Sequence, residues 1–287
     1  MSTRLLLVIA HFFKPDEKGQ YSSTSVSMRD VRRKALEEVL LQWRSRYNPP
    51  QTIDISVKCF RPSQVAPPVS LDIAILLHED NHLLTQDMVS RYRLRPVRVE
   101  TNNPRQLPFA AHQLMADSLG DYDWMAYSED DLLIHDPLWL TKMQAFAQAM
   151  GPGRVLQPNR YEINPRAAAM KTYIDGDLRH GLTDPFFERI PDQLELSLDC
   201  MGQRIPLARA RNPHAGFFVL SAEQVRHWKA QPHFMDMDAS FISPLESAAS
   251  LGLQKTFALY KAQAPFQDHF EIEHLDRKFS SLNLPTL

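Results

Sequence analysis

Asp123-Trp124-Met125-Ala126-Tyr127-Ser128-Glu129-Asp130-Asp131 decides how this chain is read. The apolar run 124–127 reads as a short strand. It runs directly into three adjacent acids, Glu129, Asp130 and Asp131. Neighbouring carboxylates repel one another, so holding them at a fixed strand end is costly unless a cation neutralises them. In open α/β sheets, ligands bind outside the carboxyl ends of the strands. Oxygen donors select hard cations, so the cluster points to Mg²⁺ or Mn²⁺ rather than Zn²⁺. Such an ion, held by one or two carboxylates, keeps positions open for substrate phosphates. The plain alternative is a solvated acidic turn that caps the next helix. The apolar Leu132-Leu133-Ile134 on the far side counts against it, because it pins the acids between two buried segments.

Outward from this stretch the first half alternates strand and helix. Strands are predicted over residues 4–11, 53–60, 73–78 and 95–100, and helices over 28–46, 108–119 and 137–150. Residues 31, 35, 36, 39, 40 and 43 carry the apolar face of the first helix, and Asn48-Pro49-Pro50 ends it. The later half is shorter-grained: strands over 155–157 and 216–220, a hairpin of 194–199 with 205–209, short helices over 222–229 and 245–251, and a polar tail over 267–279. Alternation of this kind predicts an α/β fold, with a mostly parallel central sheet flanked by helices on both faces. A smaller mixed or antiparallel sheet is expected in the second half. The expected organisation is one continuous domain over 1–287, with halves 1–135 and 136–287.

Composition narrows the classes. The chain has 287 residues, 32 Lys plus Arg against 34 Asp plus Glu, and a formal net charge of −2. This near-neutral balance argues against a nucleic-acid partner, which calls for a basic excess. Twenty-one Pro against nine Gly favours stiff, shaped loops and disfavours Gly-rich dinucleotide-binding folds. Cys59 and Cys200 cannot form a disulfide framework and read as ordinary thiols. No apolar run approaches the ~20 residues of a transmembrane segment. The run Leu5-Leu6-Leu7-Val8-Ile9-Ala10 is short, is interrupted by His11 and reads as a buried strand rather than a signal peptide. The expected location is cytoplasmic.

A strand, then Glu-Asp-Asp, then a short apolar run resembles the metal-binding motif of nucleotide-sugar glycosyltransferases of the GT-A fold. Their usual form is Asp-x-Asp, and here Glu129 takes the first position and Asp131 the last. Residues 108–124 resemble the helix and strand that precede that motif. Asn212-Pro213-His214-Ala215-Gly216-Phe217-Phe218 resembles the glycine-containing loop near the donor sugar. Residues 244–252, beginning Pro244-Leu245-Glu246-Ser247, resemble a helix that often carries the catalytic base.

The resemblance implies a GT-A-like (Rossmann-like) sheet and transfer of a sugar from a nucleotide-sugar donor to a glycan, lipid or small-molecule acceptor, with Mn²⁺ or Mg²⁺ as cofactor. In that role Asp131 coordinates the metal that bridges the donor diphosphate, Glu129 binds the metal through water or the ribose, and Asp130 does either. His269, or less readily His274, completes the metal site. Gly216 lets backbone approach the sugar, and His214 contacts donor or acceptor. Glu246 is the candidate general base of an inverting transfer. The family pattern places a second acid beside it, where this chain has Ser247, and the plain alternative is a first-turn Glu stabilising a helix N-terminus. Arg29, with Arg32 and Arg33, reads either as a diphosphate clamp or as the solvated face of its helix. Tyr21 reads equally as a stacking partner for a base or as a packing residue, and Arg160, in Arg160-Tyr161-Glu162, as a residue that could face the acceptor. Two other classes fit the same signals: a sugar nucleotidyltransferase, against which the Gly-free stretch after the first strand counts, and a non-catalytic binding protein of the same fold.

Overall fold

The computed structural model describes residues 2–15, 26–63, 68–167, 169–179 and 181–282. Its centre is a five-stranded sheet. Thr3–Ala10 lies in the middle, with Val69–Leu77 and then Leu94–Arg98 to one side and Trp124–Glu129 to the other. These four strands run parallel, and Phe217–Ser221 closes the edge antiparallel to Trp124–Glu129. Leu5, Leu7 and Ile9 face one apolar layer, and Leu6 and Val8 the other. This two-sided burial is why the strand reads as an unbroken apolar run instead of an alternating one.

Helices cover both faces. Arg29–Tyr47 buries Leu36, Val39, Leu40 and Trp43 on one side, where Trp139 of the helix Trp139–Met150 meets Trp43 edge-on. Ala110–Asp117 and Ala222–Lys229 cover the other side with Ala111, Met115, Val225 and Trp228. The first helix stops at Asn48, whose extended backbone is what a following proline demands. The fold class is thus α/β with a mostly parallel central sheet, as the alternation implies.

The second half holds two four-stranded sheets where one smaller sheet was expected. Glu195–Cys200 and Gln203–Arg209 form the expected hairpin and join Ala258–Ala262 and Arg154–Leu156. Asn159–Ile163 pairs with Lys171–Tyr173 and with Glu271–His274, which in turn pairs with Leu132–Leu133. The polar tail therefore contributes a strand. The single strand expected over 53–60 is instead a tight hairpin, Gln51–Asp54 with Cys59–Pro62. The Asp54 carboxylate accepts from the Ser56 and Val57 amides, and Lys58 takes a left-handed backbone, which together fold the alternating segment on itself. Ile53, Ile55, Val57 and Phe60 are consequently exposed. The helix expected over 245–251 is broken into a turn, Pro244–Glu246, a π-helical stretch, Ser247–Leu251, and a final turn, Gly252–Gln254. No helix among the described residues is long and apolar enough to cross a membrane.

Candidate active site

The acids sit at the carboxyl end of Trp124–Glu129. The Glu129 amide donates to the Gly216 carbonyl at 2.9 Å, so the strand and the loop before Phe217–Ser221 are locked together there. Gly216 has φ +61°, and a Cβ on it would stand 2.6 Å from Glu129 Oε2 and 2.9 Å from Leu132 Cδ1. Only a glycine fits this close approach. On the other side, His274 pairs with Leu132, and the Leu275 amide donates to the Asp131 carbonyl at 3.0 Å. The tail strand thereby delivers His274 to the acids, with its Nε2 3.8 Å from Asp131 Oδ2. His274 Nδ1 meets Glu162 Oε1 at 2.8 Å, which fixes the ring. Burial opposes a charge on His274, but the Glu162 bond and the Asp131 charge outweigh it and raise its pKa.

Asp130 and Asp131 are almost wholly buried, 6% and 7% exposed, and are neutralised from within the chain. Arg32 spans them, donating from Nη1 to Asp131 Oδ2 at 2.6 Å and from Nη2 to Asp130 Oδ1. His11, at the end of the first strand, accepts the Leu83 amide at Nε2 (2.9 Å), so its Nδ1 carries the proton and donates to Asp130 Oδ2 at 2.5 Å. Burial disfavours the charge on Asp130, yet Arg32 and His11 overcome it and hold its carboxyl down at about 2. Glu129 has the opposite balance. Burial pushes it up to about 7, with Arg160 opposing and Asp131 reinforcing.

A second buried group lies alongside. Arg160 donates from Nε and Nη2 to Asp175 Oδ1 at 3.2 and 2.9 Å. Lys261 Nζ lies 3.4 Å from Asp175 Oδ2 and donates to the His214 carbonyl at 2.8 Å. Burial, with Arg160 adding, drops the His214 pKa to about 3, so its ring is neutral. Glu246, on the broken helix, lies within electrostatic reach of Glu129, Tyr127, Arg160 and Asp175, and burial raises its pKa. Four buried polar atoms of this neighbourhood have no hydrogen-bond partner among the described residues: Asp131 Oδ1, Glu246 Oε2, His214 Nδ1 and the Tyr127 hydroxyl. Buried polar atoms are ordinarily satisfied, so unmet capacity concentrated in one place marks where a polar ligand would be received.

Of the residues singled out in the sequence, Glu129, Asp130, Asp131, Arg160, His214, Gly216 and Glu246 thus gather at this edge. Arg29 does not. It is exposed, and Arg32, three residues on, turns to the acids instead. His269 does not either. It belongs to the short turn Gln267–His269 ahead of the tail strand, in a separate hollow of about 270 Å³ lined also by Lys142, Gln203 and Asp268. The strand pairing carries His274, not His269, to Asp131. Tyr21 lies outside the described residues. The sequence reading missed His11, Asp175 and Lys261. Each is a lone residue in its segment, and only the crossing of distant strands brings it in.

No group of three His, Cys, Asp or Glu side chains among the described residues is arranged to hold a metal ion by itself. Two donors nevertheless suit a hard cation that shares its coordination with a ligand. Asp131 keeps one buried oxygen without a partner, and the neighbouring His274 is oriented through its other nitrogen by a carboxylate.

No protein-family model matches the chain, and no curated protein matches it. Among solved structures, it is similar to mouse xyloside xylosyltransferase 1, with 11% identity over 97% of this chain and 99% of that one, at a TM-score of 0.41. It is also similar to mannose-1-phosphate geranyltransferase from Thermus thermophilus, with 11% identity over 90% of this chain and 73% of that one, at a TM-score of 0.40. A third is glucosyl-3-phosphoglycerate synthase from Mycobacterium tuberculosis, in complex with Mn²⁺, UDP-glucose and phosphoglyceric acid, with 12% identity over 93% of this chain and 74% of that one, at a TM-score of 0.35. At such identities and TM-scores the likeness assigns no chemistry to this chain.

Proposed function

We propose that the protein is a glycosyltransferase that takes a sugar from a nucleotide-sugar donor with the help of Mn²⁺ or Mg²⁺. The observation that carries this reading is the buried acid edge itself, where Asp131 presents an unpartnered oxygen beside the oriented His274 at the carboxyl end of a parallel sheet. Asp131 and His274 hold the cation, which when bound supplies positive charge to the leaving diphosphate. Arg32 donates two N–H groups to the acids, and those that make no bond among the described residues would serve the same phosphates. Glu129 sits between this edge and Gly216 and orients the donor's hydroxyls. Asp130, with both oxygens engaged, positions Arg32 and does not touch the donor.

Glu246 serves as general base. The acceptor oxygen attacks the anomeric carbon, the bond from that carbon to the phosphate oxygen breaks, and the hydroxyl proton passes to Glu246. Burial raises its pKa, which makes its carboxylate a stronger base. Arg160 lies beside it, and its ion pair with Asp175 keeps it from quenching Glu246 outright. The acceptor is a hydroxyl of a glycan, lipid or small molecule.

A thermal-shift panel of UDP, GDP, CDP and ADP, each with and without Mn²⁺, tests this reading. One nucleotide is expected to raise the melting temperature in the presence of the metal, since a ligand bound only to the folded state stabilises it by mass action. No shift with any nucleotide would contradict it.

A further inference from the structure

We propose that Arg32 is a built-in counter-ion standing in for the divalent cation, so that cation and diphosphate bind together and neither binds well alone. This rests on the cation reading above and adds to it the order in which charge is exchanged. Arg32 occupies Asp131 Oδ2 and Asp130 Oδ1, while His11 takes the remaining oxygen of Asp130. Of the four oxygens of these two acids, Asp131 Oδ1 alone has no partner among the described residues, and it is buried. A dication arriving there alone would share one carboxylate with a guanidinium whose side chain is 17% exposed, and like charges on one carboxylate repel more strongly out of bulk water than in it. Arg32 cannot shed its charge to relieve this, because a guanidinium stays protonated. A diphosphate resolves the conflict, since its oxygens accept from the N–H groups of Arg32 that make no bond among the described residues and ligate the cation at once. The coupling is reciprocal by linkage: whatever factor the diphosphate lends the cation, the cation lends the diphosphate. His11 and Asp130 are positioning residues in this scheme, since they fix where Arg32 lies and leave Asp131 as the acid that faces the ligand.

The test is a Mn²⁺ titration read by the electron paramagnetic resonance of the free ion, on the wild type and on Arg32→Gln, Arg32→Lys and Asp131→Asn. It is run with Mn²⁺ alone and with inorganic pyrophosphate, after correction for Mn²⁺–pyrophosphate in solution. The wild type is expected to bind Mn²⁺ weakly alone and about tenfold or more tighter with pyrophosphate. Arg32→Gln is expected to bind Mn²⁺ alone about tenfold tighter than wild type and to lose most of the gain from pyrophosphate; a factor of this order is a modest change in charge–charge energy. Arg32→Lys keeps the charge and loses the fork, so it guards against a folding defect in Arg32→Gln and is expected to fall between. If both Arg32 variants bind Mn²⁺ as the wild type does while Asp131→Asn abolishes binding, the role of Arg32 is overturned and the cation site stands. If Asp131→Asn also binds as the wild type does, the cation site falls and this proposal falls with it.

Discussion

Gly216 and Glu129 are in mutual contact at the heart of the site: the glycine carbonyl accepts the glutamate amide, and the glutamate carboxylate fills the space a Cβ on the glycine would need. The edge of the sheet and the loop before its last strand are therefore one unit. Gly216→Ala is expected to lose about 1–3 kcal/mol of stability, from the left-handed backbone and the displaced carboxylate together. Urea denaturation measures the loss, and a nucleotide titration on the folded fraction should show weakened binding as well.

The two adjacent aspartates are expected to respond differently. Asp130 has both oxygens in charge-assisted bonds, to His11 and Arg32, so Asp130→Asn should cost about 2 kcal/mol in urea denaturation. Asp131 has a spare buried oxygen, so Asp131→Asn should cost less stability but abolish Mn²⁺ binding. Equal losses of stability and of Mn²⁺ affinity in the two variants would contradict this division of labour.

The two tail histidines separate in the same manner. His274→Gln is expected to weaken Mn²⁺ binding about tenfold or more, as loss of a metal ligand or its orienting shell does. His269→Gln is expected to leave it unchanged, since that ring lines the separate hollow beside Lys142. Mn²⁺ titration of both variants under one set of conditions checks the contrast.

Much of this edge is legible in the sequence, because one continuous segment supplies both the strand and the acids. The apolar run before Glu129 and the apolar Leu132-Leu133 after Asp131 force the carboxylates to a fixed point, and Gly216 precedes another apolar strand that must lie nearby. What was not legible depends on chain crossings. Arg32 and Arg29 are indistinguishable in a run of basic residues until the helix is docked and one turns inward. His274 becomes a neighbour of Asp131 only because the tail adds a strand beside Leu132–Leu133, and a polar segment bearing two histidines gives no sign of that pairing. The hairpin of 51–62 was misread for a related reason. Its alternation is real, but Asp54 and Lys58 build a turn into it, and its apolar side chains stay exposed.

Acid sensitivity should come from buried neutral histidines. His112 is fully enclosed, with its Nε2 2.8 Å from the Ala248 carbonyl, and burial lowers its pKa from 6.5 to about 4. The folded protein keeps this ring neutral where the unfolded chain takes up a proton. Its stabilising effect is therefore complete above pH 6.5 and is lost as pH falls from 6.5 to about 4. The slope is about 1.4 kcal/mol per pH unit for each such proton. Urea melts at pH 7, 6, 5 and 4.5 should show this decline, and His112→Gln should flatten it by one proton.

The central claim, that Asp131 and His274 hold a divalent cation through which a nucleotide diphosphate is bound, is tested most directly by calorimetric titration of the nucleoside diphosphate that shifts the melting temperature. Wild type and Asp131→Asn are titrated with and without Mn²⁺. The account requires measurable affinity for the wild type only when Mn²⁺ is present, and none for Asp131→Asn under either condition. Equal nucleotide affinity in the presence and absence of Mn²⁺, or an Asp131→Asn protein that binds as the wild type does, would contradict it.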